Sequence, residues 1–323
     1  MTVRLAALVT AFAASLAASG ASAQTFPDKP IRLIVPFATG GVTDTSGRVI
    51  AEGLTKRLGQ QVFVDNRPGA SGNTGTQQGA AAAPDGYTLV LAFDGTMVIN
   101  PHVFPSVPFD TLKDFAPIGK IGDATLILVA WPGFPGKTVK DVVEMSKKDP
   151  KGLSYGTSGV GGSPHLAGEL FALRTGAKLV HVPYKGGGPA IADALGGNIP
   201  LVFTAVAGAG GHVKSGKLAP IAVASRQRSA SLPDVPTFIE SGVPDFDVTS
   251  WVGILAPAKT PPAVVERLNR ELNAVLTSPE TVEKLAGLGI VATPGSPDQF
   301  GEQMRNDLAK YGVVVKAANI RLE

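Results

Sequence analysis

The chain contains no cysteine, and this absence removes several kinds of chemistry at once. It excludes disulfides, a thiolate nucleophile, cysteine-based metal sites and a lipid attached to an N-terminal cysteine. A chain of 323 residues is nevertheless long enough to bury a hydrophobic core without covalent links. Its length favours two domains.

Charge is also scarce. Only 17% of the residues are charged, the formal net charge is +3, and no run of Lys or Arg exceeds two residues. Proteins that bind nucleic acid concentrate basic residues on one face, so we expect no nucleic-acid partner. The histidines His102, His181 and His212 are far apart and lack the spacing of metal ligands. We therefore predict no metal site, and we predict no cofactor.

The first residues are "MTVRLAALVTAFAASLAASGASAQ", with an early Arg4, an apolar stretch from Leu5 to Leu16, and small residues up to Ala23. This pattern is typical of a secretory signal peptide. The apolar stretch is shorter than the ~20 residues that span a bilayer. We predict a signal peptide over 1–23, cleavage after Ala23, and export to the periplasm.

Short apolar runs alternate with helical patterns along the rest of the chain. Thr138 with Asp141 and Ser296 with Gln299 fit capping boxes at helix starts. The alternation predicts an α/β fold whose parallel sheets are covered by helices on both faces. Strands are predicted at 31–37, 87–93, 124–131, 178–184, 199–205, 219–225 and 251–258, and helices at 74–83, 138–148, 164–174, 189–196, 208–215, 261–277, 279–286 and 297–317.

Turns rich in glycine or hydroxyl residues lie next to these elements. Ligands of open parallel sheets bind beyond the carboxyl ends of the strands, so we expect the turns to meet at one cleft between two domains. Their backbone N–H groups and the helix N-termini that follow them favour an anion. The turns are 36–44, 66–77, 94–101, 155–165 and 184–190.

The segment "YGTSGVGGSPHLAGELF" (155–171) admits three interpretations. A serine hydrolase would need a second glycine where Val160 stands, and no spaced aspartate completes a triad. An exported hydrolase that uses Ser158 or Ser163 with His165 stays as the alternative. A phosphate-binding loop would need a Gly-Lys-Ser/Thr ending, which is missing.

The remaining functional interpretation is a carboxylate held by Thr157, Ser158 and the N–H groups at Ser163. The alternative is a tight turn in which Ser163 only caps the helix 164–174. Charge-assisted hydrogen bonds contribute about 1.5–3 kcal/mol each, so a few donors reach a micromolar complex only if little is lost to ordering. A cleft that closes from both sides meets that condition.

Five further residues have a functional and a structural interpretation. Asp44 could face the ligand site or favour the start of its helix. Asn73 could donate its amide to the ligand or brace its loop. Lys185 could supply a positive charge or stay in solvent, and Tyr184 and Phe37 could form cavity walls or plain core.

The ordered series of turns resembles the Bug-type (TctC-like) periplasmic solute receptors of tripartite tricarboxylate transporters. No single motif is specific, but their ordered series is. The resemblance spans the whole chain that would follow the signal peptide. The segments that carry the resemblance are "PFATGGVTD" (36–44), "NRPGASGNTG" (66–75), "PDGYTL" (84–89), "INPHVF" (99–104), "DTLKDFAPI" (110–118), 155–171, 182–199, 213–218, 232–242 and 251–261.

The resemblance implies a periplasmic-binding-protein (Venus flytrap) fold of two α/β domains, with a hinge of two crossing strands near 119–128 and 248–256. Domain 1 would then be discontinuous, with residues 24–124 and 252–323, and domain 2 would contain 125–251. The family pattern implies that one loop holds waters around the ligand and another donates hydrogen bonds directly. The first group would be Phe37, Gly40, Gly41 and Asp44, and the second Thr157, Ser158, Ser163 and His165.

This chain departs from the family pattern after the strand 87–93, where Asp94-Gly95-Thr96 replaces small or uncharged polar residues. A carboxylate in the cleft would repel a second ligand carboxylate by about 1 to 4 kcal/mol at 4 Å. Asp94 would thereby disfavour dicarboxylates. The alternative is that Asp94 only caps a turn.

The residues and the resemblance together predict a non-catalytic, exported binding protein. Its partners would be a small organic carboxylate and the inner-membrane subunits of a transporter, and we expect it to be a monomer. A receptor that reports the ligand to a sensor kinase is a further alternative.

Overall fold

The computed structural model describes residues 26–317, so the predicted signal peptide and its cleavage site lie outside the described residues. Ten strands are present in this range: β1 Ile31–Val35, β2 Val62–Asn66, β3 Thr88–Phe93, β4 Phe115–Ala130, β5 Leu153–Thr157, β6 Leu179–Pro183, β7 Leu201–Ala205, β8 Ala219–Val223, β9 Thr249–Pro257 and β10 Ile290–Ala292.

The helices of the described range surround these strands. They are α1 Val42–Leu58, α2 Asn73–Ala80, α3 Asn100–Val103, α4 Val139–Lys148, α5 Ser163–Thr175, α6 Gly187–Leu195, α7 Val206–Lys214, α8 Pro262–Leu276, α9 Pro279–Gly287 and α10 Pro297–Ala317. A short π-helical turn at Gly95–Ile99 leads into α3. Within the described residues, no helix combines the length and apolar character needed to cross a membrane.

The strands lie in the order β2-β1-β3-β9-β4-β7-β5-β6, and β8 and β10 also pair with β4. The outer pairs are parallel, as the sequence predicts. The pairs that involve β4 or β9 are antiparallel, which the sequence analysis did not predict. For the pairs with β9 the reason is topological: β9 returns from the second half of the fold and runs back between β3 and β4.

Strand β4 belongs to two sheets. Up to Thr125 it pairs with β9, and from Leu126 it pairs with β7 and β8. We call the part built on β1, β2, β3, β9, β10 and the start of β4 lobe 1, and the part built on β5 to β8 and the end of β4 lobe 2. Strands β4 and β9 are therefore the crossing strands of a two-lobed α/β fold. The change of partner supports the domain limits 24–124, 125–251 and 252–323, which stay a prediction.

Several boundaries differ from the predicted ones. Strand β4 was predicted only from residue 124, because Pro117, Gly119 and Gly122 interrupt its apolar pattern. The structure accommodates these residues with two shifts of register against β9. The predicted set omitted strands β2, β5 and β10, because each offers only two or three apolar residues: Val62, Phe63 and Val64 in β2, Leu153 and Tyr155 in β5, and Ile290, Val291 and Ala292 in β10. Helices α6 and α7 begin two residues earlier than predicted.

The local helix signals are confirmed. Thr138 and Asp141 form a reciprocal capping box at α4. The Ser296 N–H donates to Gln299 Oε1 at 2.8 Å, and the Gln299 N–H donates to Ser296 Oγ at 3.2 Å, so α10 begins in the same way. These caps hold the helix starts independently of the rest of the fold.

An aromatic cluster forms the centre of lobe 2. Phe238 is fully buried, and its ring centroid lies 4.4 Å from that of Phe246, 5.3 Å from that of Phe171 and 5.8 Å from that of Phe203. The segment that carries Phe238 has little regular structure, so these rings fix it to the sheet.

We expect Phe238→Ala to lower the free energy of unfolding by about 3–5 kcal/mol, because it leaves a cavity in a fully packed cluster. Urea unfolding followed by circular dichroism measures this. Leu173→Ala is the matched control, since Leu173 is 74% exposed and its loss should change little. Equal effects of the two substitutions would contradict the packing described.

Candidate ligand-binding site

Two glycine loops from opposite lobes touch each other. One follows β1 and contains Thr39-Gly40-Gly41, and the other follows β6 and contains Gly186-Gly187-Gly188. The Ala38 N–H donates to the Lys185 carbonyl at 3.0 Å across this contact. A Cβ atom on Gly188 would lie 1.9 Å from the Thr39 carbonyl oxygen, so only glycine permits this approach. The lobes are therefore closed on each other.

A second contact between the lobes involves the turn 159–162 before α5. A Cβ on Gly95 of lobe 1 would lie 2.6 Å from Gly162 Cα, and a Cβ on Gly159 would lie 2.7 Å from Ser71 Oγ. Main chain thus lies against main chain at both contacts. The predicted glycine-rich turns do converge at the junction of the two lobes.

A small cavity of about 20 Å³ lies between these contacts. A volume of this size accommodates about one water molecule. A larger solute can therefore enter only with the lobes further apart. The cavity is lined by Phe37, Gly41, Val42, Thr43, Phe93, Leu126, Ser158, Pro164, Gly187, Thr204 and Ala205.

Four helices begin at this cavity. Helix α1 begins after Gly41, α5 after Gly162, α6 after Gly186 and α7 after Ala205. None of these four residues has a side chain that caps its helix, so the N–H groups of the first turns are left for other partners. Each helix terminus also carries a partial positive charge. The geometry therefore favours an anion between the lobes.

The side chains that line the cavity supply hydroxyls rather than charges. Thr43, Ser158 and Thr204 contribute the hydroxyls, while the rings of Phe37 and Phe93 meet edge to face at a centroid distance of 5.3 Å and form an apolar wall. None of the described lining residues is ionisable. An anion bound here would be held by dipoles and hydroxyls, with an apolar wall on one side.

Asp44 braces the first glycine loop. Its carboxylate accepts hydrogen bonds from the Gly40 N–H at 3.0 Å, from Asn66 Nδ2 at 3.1 Å and from Arg48 Nε at 3.1 Å. Burial alone would raise the pKa of Asp44, but the bonds from Arg48, Gly40 and Asn66 hold it below its ordinary value. Asp44 is therefore ionised and fixes the loop from behind.

A group of buried polar residues holds the turn before α5. Thr157 Oγ1 donates its proton to the Gly159 carbonyl at 2.8 Å. His181 Nε2 lies 2.7 Å from Thr157 Oγ1 and is therefore the donor to this hydroxyl oxygen. Burial and the neighbouring His165 lower the pKa of His181 to about 3. The Gly161 N–H donates to His165 Nδ1 at 3.1 Å, and Nε2 of that ring lies 3.6 Å from Glu169.

Asp94 lies at the junction of the lobes rather than at the cavity wall. It is completely buried, and its Oδ1 accepts from the Gly95 N–H at 2.7 Å, Ser250 Oγ at 2.8 Å and Ser163 Oγ at 3.2 Å. Burial raises the pKa of Asp94 to about 7, against the effect of these three bonds. Asp94 caps the π-helical turn and also joins the two lobes.

Ser163 is the first residue of α5 and not its cap, which is Gly162. The interpretation of Ser163 as a helix cap is therefore wrong, because its hydroxyl donates to Asp94 instead. The two ring nitrogens of His165 face Gly161 and Glu169, so the ring is engaged away from both serines. This arrangement lacks the serine–histidine pair of a hydrolase.

The sequence-predicted site residues divide into two groups. Phe37, Gly41 and Ser158 line the cavity. The others surround it at the contacts or brace its loops, and their role in binding stays a prediction: Gly40, Asp44, Asn73, Asp94, Thr96, Thr157, Ser163, His165, Tyr184 and Lys185.

Tyr184 and Lys185 illustrate why a role in binding stays a prediction. Tyr184 donates its hydroxyl to Asp193 at 2.6 Å, and burial together with Asp193 raises the pKa of Tyr184 to about 12. Lys185 is exposed and contributes its carbonyl, rather than its ammonium group, to the contact between the lobes. In lobe 1, Asn73 Oδ1 accepts a hydrogen bond from Asn100 Nδ2 at 2.8 Å, and Thr96 Oγ1 donates to the Ser71 carbonyl at 3.0 Å.

The sequence analysis missed two hydroxyls. Thr43 stands in the first glycine-rich turn and was passed over for its neighbours, and Thr204 lies near the end of β7, one residue before the cap of α7. A hydroxyl where a strand runs directly into a helix is the signal that could have found Thr204. Among the described residues, no group of His, Asp or Glu is arranged to hold a metal ion.

Two lobes, crossing strands and a cavity at their junction define the class of two-lobed solute-binding proteins. The chain matches the family described as "Tripartite tricarboxylate transporter family receptor" (TctC) over residues 47–320. It is also 36% identical to Protein BugT of Bordetella pertussis (strain Tohama I) over 329 residues, with 99% of each chain covered. The chain therefore belongs to the TctC family of transporter receptors.

Solved structures with the same fold agree. The periplasmic binding protein BugD has a TM-score of 0.88 and 33% identity, with 92% of this chain and 100% of that chain covered. A protein of R. palustris solved with adipate gives 0.89 and 32%, with 92% and 100% covered. MatC of Rhodopseudomonas palustris with bound malate gives 0.85 and 29%, with 90% and 100% covered.

These comparisons confirm the periplasmic-binding-protein fold that the sequence predicts. They also confirm that the chain is a solute-binding protein and not an enzyme, since the family and its structural neighbours are solute-binding proteins. The hydrolase alternative is thereby excluded.

We expect Asp44→Ala to lower the free energy of unfolding at pH 7 by about 1–3 kcal/mol, because Gly40 and Asn66 lose their acceptor. The folded-state pKa of Asp44 is lowered, so its contribution is present above its ordinary pKa of about 4 and is lost as the pH falls through the folded value. Urea unfolding between pH 7 and pH 3 measures the difference between wild type and variant, which should shrink with acid. Exposed Asp234, changed to Ala, is the control.

Proposed function

We propose that the protein captures a small organic carboxylate in the cleft between its lobes and delivers it to the membrane subunits of a tripartite tricarboxylate transporter. The observation that carries this proposal is the convergence of four helix N-termini without side-chain caps on one cavity between the lobes. Backbone N–H groups aimed at one point bind negative charge.

The magnitudes support reversible capture. A helix terminus contributes typically 0.3–1 and at most ~2 kcal/mol to a bound anion, and each charge-assisted hydrogen bond about 1.5–3 kcal/mol. A few such contacts reach the ~8 kcal/mol of a micromolar complex. In the absence of an ionisable partner among the described lining residues, the carboxylate would not be held so tightly that release becomes slow.

The ligand class follows from the cavity and from the relatives. The hydroxyls of Thr43, Ser158 and Thr204 would form hydrogen bonds with carboxylate oxygens or hydroxyl groups of the solute. The rings of Phe37 and Phe93 would contact its carbon chain. The relatives solved with adipate and malate bind small carboxylates of this kind. We propose the same ligand class for this chain.

Release requires that the lobes separate. The two crossing strands β4 and β9 provide the hinge, and the glycine contacts provide surfaces that meet without interlocking side chains. We propose that rigid-body closure traps the solute and that the closed, monomeric form is presented to the transporter. The predicted signal peptide would place the protein in the periplasm.

We expect Ser158→Ala and Thr204→Val each to weaken carboxylate binding about tenfold or more, because each removes a hydroxyl that lines the cavity. Isothermal titration calorimetry with adipate, malate and a panel of mono- and dicarboxylates measures the dissociation constants. Ser215→Ala, outside the cleft, is the control. Unchanged affinity in both cleft variants would place the ligand elsewhere.

The export prediction has its own test. Expression with the native N-terminus should yield a periplasmic protein that lacks 23 residues and begins with Gln24. Osmotic-shock fractionation and intact-mass measurement check both points. A chain that keeps its first residues and sediments with membranes would show a retained anchor instead.

A further inference from the structure

The carboxyl group of Asp94 is unevenly satisfied. Its Oδ1 accepts three hydrogen bonds, from Gly95, Ser250 and Ser163, whereas its Oδ2 is buried and has no partner among the described residues. An ionised carboxylate spreads its charge over both oxygens and needs donors at each. One oxygen without a donor in a buried place therefore disfavours the charged form.

The donors of Asp94 come from three different elements. Gly95 follows Asp94 in lobe 1, and Ser250 lies on β9, which pairs with β3 within the same lobe. Ser163 instead begins α5 of lobe 2. Separation of the lobes would remove the Ser163 hydroxyl and would leave the other two donors in place.

Lobe 2 also covers Asp94 from solvent. Gly162, next to Ser163, lies against Gly95 so closely that a Cβ on Gly95 would be 2.6 Å from Gly162 Cα. Asn100 Oδ1 faces the same segment at Gly161 and is the other buried side-chain oxygen of the described residues that has no partner. Opening of the cleft would therefore admit water to Asp94 and its surroundings.

We propose that Asp94 links closure of the lobes to the uptake of one proton, with the carboxyl group neutral in the closed form and ionised in the open form. The inference uses the hinge motion of the proposed function but does not depend on which solute is bound. It assigns Asp94 a role in the closing equilibrium that differs from contact with the ligand.

The electrostatic surroundings have the sign that this requires. Burial, with a smaller repulsion from Asp307 on α10, raises the pKa of Asp94 in the closed form to about 7. Tyr311 on α10 is affected in turn, since burial and Asp94 raise its pKa. The elements around Asp94 carry these further ionisable groups: Asp298, Glu302, Arg305, Lys310 and Lys316 on α10, His165, Glu169 and Arg174 on α5, and His102 on α3.

The sign of the pH dependence follows directly. The closed form has the higher affinity for the proton, so closure is most favourable below the open-form pKa and becomes less favourable as the pH rises towards about 7. Between the two pKa values, the ratio of closed to open molecules should fall by up to tenfold per pH unit. Above the closed-form value the ratio should become constant.

The absence of cysteine makes a direct test possible. Gln78→Cys on α2 of lobe 1 and Lys148→Cys on α4 of lobe 2 place one spin label on an exposed position of each lobe. Double electron–electron resonance on the ligand-free protein at pH 5.5, 6.5, 7.5 and 8.5 then measures the closed fraction. We expect it to increase as the pH falls.

The matched variant is Asp94→Asn, which keeps the shape and an acceptor for Ser163 and cannot ionise. Its closed fraction should be independent of pH over this range. Ser163→Ala, which removes a donor to the ionised form in the closed state only, should move the upper end of the pH-dependent range to higher pH. Ser250→Ala removes a donor in both states and should move both ends.

Two results would overturn the proposal: a wild-type closed fraction that does not change with pH, or an equal change in Asp94→Asn. Circular dichroism establishes whether each variant is folded. If Asp94→Asn does not fold, Ser163→Ala tests the proposal independently. The closed fraction is measured without added carboxylate, so a closed fraction that is independent of pH would not contradict the proposed binding function. Conversely, a failure to bind carboxylates in calorimetry would not contradict a pH-dependent closed fraction.

Discussion

The structure depends on the N-termini of four helices that meet at one place without side-chain caps. A helix cannot satisfy the N–H groups of its first turn, and Gly41, Gly162, Gly186 and Ala205 offer no side chain to do so. Such groups are costly when buried and useful when a ligand meets them. Because the helices come from both lobes, an anion at this point would be attracted to each lobe. It would join the lobes without any ionisable side chain among the described cavity residues.

Close contact of main chain with main chain makes this arrangement possible. The glycines on the two sides, such as Gly41 against Gly187, allow peptide groups to approach where a Cβ would intervene. Flexible loops would not keep these peptide groups in position. The structure fixes the loops through contacts on the side away from the cavity. Asp44 holds the loop of lobe 1, and the group around Thr157 and His165 holds the turn of lobe 2. The cavity is thus lined by dipoles and hydroxyls, and the charged groups lie one layer further out.

Much of this could be predicted from the sequence, and the limits have physical causes. The glycine-rich turns were predicted to converge because the carboxyl ends of parallel strands share an edge, and they do. Individual roles were harder to predict, since they depend on contacts between distant residues. Asp94 is bonded to Ser163, 69 residues away, and to Ser250, 156 residues away, and no local pattern predicts its complete burial. Strand β4 was underestimated because its bulges interrupt the apolar pattern.

The position of β9 has a consequence for biogenesis. This strand covers Thr249–Pro257, yet it lies between β3 and β4 in the middle of the sheet of lobe 1. The edges of β3 and β4 that it occupies stay open until more than three quarters of the chain has been synthesised, so lobe 1 cannot complete its core early. A chain that stays unfolded this long suits passage through a membrane channel as an extended polypeptide. In a chain exported by the predicted signal peptide, the same crossing strand would therefore delay folding until translocation is well advanced.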